Sequence, residues 1–149
     1  MPDSISSFRR LAAAAWSSAA LAALAACATG PRADLRQVAG AWRIDQARSE
    51  PLLDRREARL VFGPDGRLSG HTSCNTMDAS YTLEGTRLKI GTIATTRRHC
   101  AELQREQEDR VLTALELAAT ARVRDDGLLE LRDDEGRGVL RATRPQAPP

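Results

Sequence analysis

Between Gly70 and Cys100 the chain gathers the side chains whose types and spacing could do chemistry. His71, Cys74 and Asn75 stand in the run Gly70-His-Thr-Ser-Cys-Asn, and Thr96, His99 and Cys100 in the run Thr92-Ile-Ala-Thr-Thr-Arg-Arg-His-Cys. Two thiols and two imidazoles make a nominal Cys₂His₂ set for zinc. The spacing is poor for it, because His99 and Cys100 are adjacent, and adjacent side chains on extended backbone point to opposite sides. A thiol beside an imidazole can also act as nucleophile and base. In an oxidising compartment, however, a thiol with a ready partner forms a disulfide. A Cys74–Cys100 bond is therefore the expectation, with metal binding and a Cys74 nucleophile as the weaker alternatives. Asn75 is a candidate ligand contact, but its side chain is expected to bond the backbone of its own turn. β-Branching alone accounts for Thr92, Thr95 and Thr96 in a strand-like run, and Asp78 is expected to serve a turn.

Other chemistries lack their residues. There is no Gly-rich phosphate loop, nucleophile elbow, His-Glu-x-x-His helix or paired Cys-x-x-Cys. The acidic runs near Asp125 and Asp133 do not alternate as calcium ligands do, so they read as hairpin tips. The chain has 22 basic and 20 acidic residues with signs interleaved, as in Arg105-Glu-Gln-Glu-Asp-Arg110, which speaks against nucleic acid as a partner. Downstream of Gly30 only Trp42, Phe62 and Tyr81 are aromatic, which disfavours a sugar, a base or a flat cofactor as ligand. No catalytic residue, metal or cofactor is assigned.

The N-terminus reads as an address. Arg9 and Arg10 precede an apolar run, Leu11 to Ala26, that ends at Cys27, the pattern of a secretory signal peptide. Sixteen residues, ten of them alanine, are too few and too weakly apolar for a good membrane-spanning helix. Leu24-Ala-Ala-Cys27 resembles the bacterial lipobox. That resemblance implies that Cys27 is acylated and becomes the first mature residue, with several acyl chains holding the domain to a membrane. Ala28 stands where Asp would imply inner-membrane retention, so the periplasmic face of the outer membrane is expected. With Cys27 assigned to lipid, Cys74 and Cys100 remain as an even pair. Closing their loop of about 27 residues is worth roughly 3.5 kcal/mol in the chain-entropy picture. The segments are then a signal peptide (1–26), a flexible tether (27–36), one domain (37–144) and a disordered tail (145–149).

The elements that must position these residues follow from turn chemistry and periodicity. Trp42 and Ile44 share one face of a first strand starting near Ala39, and Ser49-Glu-Pro51 breaks it into a loop ending near Asp54. Hairpins are predicted around Gly63-Pro-Asp-Gly66, Glu84-Gly-Thr86, Asp125-Asp-Gly127 and Asp133-Asp-Glu-Gly136. Short strands at this spacing make a sheet that curls or closes. One segment, Ala101 to about Ala119, lacks Gly and Pro and reads as an amphipathic helix covering the sheet. Its inner face is expected to carry Leu103, Val111, Ala114, Leu115 and Ala118, with Arg105, Asp109 and Glu116 outward.

Taken together, Gly40-Ala-Trp42, Gly70-His-Thr-Ser-Cys74-Asn75, Tyr81, Ile93-Ala-Thr-Thr96-Arg-Arg-His-Cys100, the Leu-rich helix and the closing strand pair resemble the META/HslJ-like domain family over roughly Leu35 to Thr143. The resemblance implies a mainly β, α+β fold, a small antiparallel β-barrel-like domain with one helix, in its bacterial lipoprotein form. It also implies no established catalysis and a link to heat-inducible envelope lipoproteins and antibiotic resistance. Trp42, Tyr81, Asn75 and Thr96 are its candidate binding or motif residues. Ser73 and Ala79 stand where the family usually has Gly, which bears on local turn geometry. The expected function is that of a monomeric, non-enzymatic outer-membrane lipoprotein supporting envelope stress tolerance through a protein or cell-wall partner. The alternative is a carrier of a small apolar ligand in an interior lined by Leu60, Phe62, Leu83 and Ile90.

Overall fold

Turns rich in Gly, Pro and Asp lay out the sheet, and closure between the two ends of the chain completes it. The computed structural model describes residues 35–55 and 57–146. The readings made of the signal peptide, of Cys27, of most of the tether and of the end of the tail lie outside the described residues. In chain order the elements are α1 (Leu35–Val38), β1 (Gly40–Ala47), β2 (Glu50–Pro51), β3 (Arg59–Phe62), β4 (Arg67–His71), β5 (Thr76–Glu84), β6 (Arg87–Ile90) and β7 (Ala94–Thr95). The helix α2 (Glu102–Leu117), β8 (Thr120–Val123), β9 (Leu129–Arg132) and β10 (Gly138–Thr143) complete it.

Each predicted hairpin forms, and all pairings are antiparallel. Gly66 and Gly127 sit at φ +78° and +80°, the left-handed backbone that these reversals require and that Gly adopts at low cost. The sheet then closes: β1 pairs with β10, placing Ile44 opposite Ala142, while its first half pairs with β3. A bulge between Ile44 and Gln46 marks the closing seam. The result is an eight-stranded closed barrel in the order β1-β3-β4-β5-β6-β8-β9-β10, with β2 extending the sheet at β1 and β7 at β5.

Alternation puts Trp42, Ile44, Leu60, Phe62, Leu68, Met77, Leu88, Leu129, Leu131 and Leu140 into one interior cluster. Each such side chain contributes about 1.5–3 kcal/mol on full burial. Helix α2 packs on β1 and β10 through Val111, Ala114 and Leu115. The N-terminal half of that helix departs from expectation. Leu103 is 43% exposed, and Gln107 and Glu108 are buried in its place. Asp78 serves no turn either. It points outward from β5 and pairs with Arg67 of β4 at 2.8 Å. Ala79, mid-strand and buried opposite Leu68, needs no left-handed backbone. The segment expected as loop from Ser49 contains β2, reached through left-handed Arg48 and Ser49. No helix among the described residues is long and apolar enough to cross a membrane.

Candidate functional site at the disulfide

The chain leaves β4 at His71, turns through Thr72-Ser-Cys-Asn75 and returns as β5. Gly70 opens this motif because β3 runs too close for a side chain: a Cβ there would lie 2.3 Å from the Arg59 carbonyl oxygen. The turn closes on itself. Thr72 donates its N–H to the Asn75 carbonyl (2.9 Å), and the Asn75 N–H donates to Thr72 Oγ1 (3.1 Å). Ser73 takes the strained position, φ +83°, at which Gly would be at ease. It is held by its N–H on His71 Nδ1 (3.1 Å) and by its Oγ on the Asp54 carbonyl (2.7 Å).

Cys74 and Cys100 are joined in a disulfide with a Cα separation of 5.9 Å. It staples the turn to the loop that follows β7. Joined sulfurs are neither thiolate nucleophiles nor zinc ligands. Among the described residues, no three His, Cys, Asp or Glu side chains are placed to hold a metal ion.

Asn75 does not cap its own turn with its side chain, because Thr72 Oγ1 already does so. The carboxamide instead crosses to two other elements. Its Oδ1 accepts from Thr96 Oγ1 and from the Arg98 N–H, each at 2.8 Å, and its Nδ2 donates to Glu108 of α2 at 2.9 and 3.2 Å. Nδ2 also lies 3.2 Å from Cys74 Sγ. Thr96 Oγ1 in turn accepts the Thr76 N–H at 3.2 Å, so its hydroxyl matters beyond strand propensity. Turn, loop and helix thus meet at one buried amide.

The neighbouring residues of α2 fix the loop after β2. Gln107, fully buried, accepts the N–H groups of Leu53 and Asp54 on Oε1 and donates Nε2 to the Asp54 carbonyl, while Gln104 reaches the Asp54 carboxylate at 3.2 Å. Between these parts lies an open recess of about 320 Å³ lined by Asp54, Glu57, His71, Arg98, His99 and Gln104, with the disulfide in its wall. His71 accepts on Nδ1, so its neutral ring carries the proton on Nε2, 3.6 Å from a Glu57 oxygen. Both donors and acceptors line this recess, which suits recognition of a polar group.

Of the sequence candidates, Cys74, Cys100, Asn75 and Thr96 are brought together here. Trp42 and Tyr81 are not. Trp42 is fully buried, donating Nε1 to the Val38 carbonyl (2.7 Å) beneath the Arg144 guanidinium, 3.8 Å from its ring centroid. Tyr81 stands edge-on to Phe62 (5.1 Å) and donates to the Gly63 carbonyl at 2.7 Å; burial, aided by Asp65, pushes its phenol up. Glu108, Gln107 and Asp54 were missed. A signal for the first two existed: Gln104, Gln107 and Glu108 continue the spacing of Val111 and Leu115 on the same helix face.

A family model, that of the META domain, matches residues 33–146. No curated protein matches the chain. Among solved structures, an NMR structure of a protein from Burkholderia xenovorans is 23% identical, with a TM-score of 0.59 over 96% of this chain and 100% of that one. A crystal structure of a DUF4847 family protein from Bacteroides vulgatus is 13% identical, with a TM-score of 0.56 over 74% of this chain and 95% of that one. At these identities the two structures speak to the fold alone, a small barrel like this one. With 114 of its 149 residues inside the matched span, the chain belongs to the META domain family.

Proposed function

We propose that this chain is a non-enzymatic lipoprotein, anchored through acylated Cys27 at the periplasmic face of the outer membrane, that supports envelope stress tolerance by binding a protein or cell-wall partner. One observation carries the reading. In the Gly70–Cys100 motif the thiols are joined and the Asn75 amide is bonded to Thr96, Arg98 and Glu108, so neither is left for chemistry. What they leave accessible is the recess bordered by Asp54, Glu57, Arg98 and His99. The Leu24–Cys27 lipobox supports the anchor, and pairing of the two other cysteines supports an oxidising compartment.

Against a carrier of apolar ligands stands the packing of the interior. Leu60 and Phe62 are fully buried among core neighbours, and Leu83 and Ile90 pack on that core from partly exposed positions. The test is genetic. Deleting the chain is expected to raise envelope permeability and antibiotic sensitivity under heat and oxidative stress. Wild-type protein restores the barrier, while Cys27→Ser and Arg98→Ala do not. Unchanged permeability on deletion ends the proposal.

A further inference from the structure

Signs that interleave along the sequence are sorted by the barrel wall. In β8, β9 and β10 the inner face takes Ala121, Leu129, Leu131, Leu140 and Ala142, so Arg122, Glu130, Arg132 and Arg141 share the outer one. The register sets Glu130 directly between Arg122 and Arg141. Its Oε2 accepts from Arg122 Nε (2.9 Å) and Nη2 (2.7 Å) and from Arg132 Nε (3.0 Å) and Nη2 (2.9 Å), while Arg141 Nη2 stands 3.7 Å from Oε1.

The Glu130 side chain is only 4% exposed, whereas the three arginine side chains are 35–46% exposed. One carboxylate therefore holds three arginines in place and leaves a surplus of two positive charges. Each guanidinium has five N–H donors, so directing one edge inward leaves others aimed at solvent. Planar forks held in this way match phosphate oxygens. The flanking basic groups do not share in the surplus: Arg124 is paired with Asp126, and Arg137 with Asp133 and Glu135.

The chain enters the domain beside the same strands. Helix α1 packs beside β8, and Arg144, just past β10, donates Nη2 to the Gln37 carbonyl at 2.8 Å. Residues 28–34 separate Cys27 from α1 and span at most about 25 Å when extended. Phosphate headgroups are then the first dense array of anions within reach of these arginines.

We propose that Arg122, Arg132 and Arg141 dock the barrel on the phosphates of an anionic lipid surface and so orient the domain on its membrane. This rests on the lipoprotein reading given above. Near an anionic surface each positive charge contributes about fivefold in affinity, so removing all three arginines, which takes the patch from a surplus of two to a deficit of one, costs on the order of a hundredfold.

The experiment uses the full chain carrying Cys27→Ser, which removes the acyl chains, in co-sedimentation with phosphatidylcholine vesicles with and without phosphatidylglycerol. Binding is expected to rise with phosphatidylglycerol and to fall with salt. The triple variant Arg122→Gln/Arg132→Gln/Arg141→Gln is expected to lose on the order of a hundredfold of that gain. Because removing all three strips Glu130 of its partners, Arg141→Gln alone is the second variant. It leaves the four short bonds on Oε2 intact and is expected to lose about fivefold. Phosphatidylglycerol-dependent binding unchanged in Arg141→Gln overturns the proposal. So does displacement by inorganic phosphate well beyond that by chloride at equal ionic strength, which assigns the face to a free anion. The intact mass of the wild-type protein from membranes separates the two readings. An unmodified Cys27 removes the anchor and leaves the vesicle result standing.

Discussion

Asn75 and Glu108, 33 positions apart, meet in the seam between the disulfide turn and α2, where the Asn75 carboxamide donates to both carboxylate oxygens at 2.9 and 3.2 Å. Both residues are buried, so the bond stands in for water that each would otherwise keep. It ties this turn to the helix, and it also orients the Oδ1 that holds Thr96 and Arg98.

Replacing Asn75 by Ala therefore orphans a buried carboxylate and two donors together. The expected cost is about 3 kcal/mol, within the range for unpaired buried polar groups when one is charged. Glu108→Gln keeps an acceptor for Nδ2 and is expected to cost less than half as much. Urea unfolding of the oxidised variants checks both. A loss under about 1 kcal/mol for Asn75→Ala would show that water replaces the amide.

The disulfide closes a loop containing β5, β6 and β7. Cys74→Ala/Cys100→Ala is expected to cost roughly 3 kcal/mol and to lower Tm by on the order of 15 °C. Hydrogen exchange should rise first at residues 72–76 and 96–100, where the staple and the Asn75 contacts coincide. An even rise over the whole barrel would assign the disulfide to the unfolded chain alone. Cys74 and Cys100 of the native protein should take up no alkylating label until reductant is added.

Ser73 sets two effects against each other. At φ +83° a serine is strained by about 1 kcal/mol relative to Gly, yet its hydroxyl bonds the Asp54 carbonyl at 2.7 Å, worth about as much. Ser73→Gly is therefore expected to stay near wild-type stability, while Ser73→Ala, keeping the strain and losing the bond, falls by about 1 kcal/mol. Equal losses in the two variants would mean that the turn carries no strain.

These contacts mark where sequence stops being legible. The hairpins could be read because turns are local: Gly66 and Gly127 announce their own backbone. That the sheet curls or closes was legible from strand spacing and the family resemblance, but the strand pair that closes it was not, since pairing Arg43 with Thr143 depends on chain ends 100 positions apart. The motif residues Asn75 and Thr96 stood out by type, but their partner Glu108 did not. Hydrophobic periodicity equates inward with apolar, so it placed Leu103 in the core and passed over Gln107 and Glu108, which are buried because they satisfy loop backbone and a turn amide. The arginine face was hidden for a related reason, as interleaved signs alternate between the two sides of a strand only once the register is known.

The acid limb of stability tests the Glu130 cluster apart from any membrane. Burial pushes its carboxyl up, but hydrogen bonds from Arg122 and Arg132, together with their charges, outweigh this and hold it below its ordinary value of 4.5. A carboxyl lowered on folding stabilises the fold when ionised. That contribution is present above about pH 4.5 and is lost as pH falls through the folded value. Glu130→Gln removes it, so the difference in unfolding free energy between wild type and variant should be largest near about pH 7 and shrink below about pH 4.5. Both proteins keep an acid slope from Asp133, which the Arg137 hydrogen bond likewise holds low. Urea titrations at a series of pH values read the difference directly. A difference that stays constant from neutral to acid pH would mean that Glu130 contributes by shape, leaving the arginines without the anion that orients them.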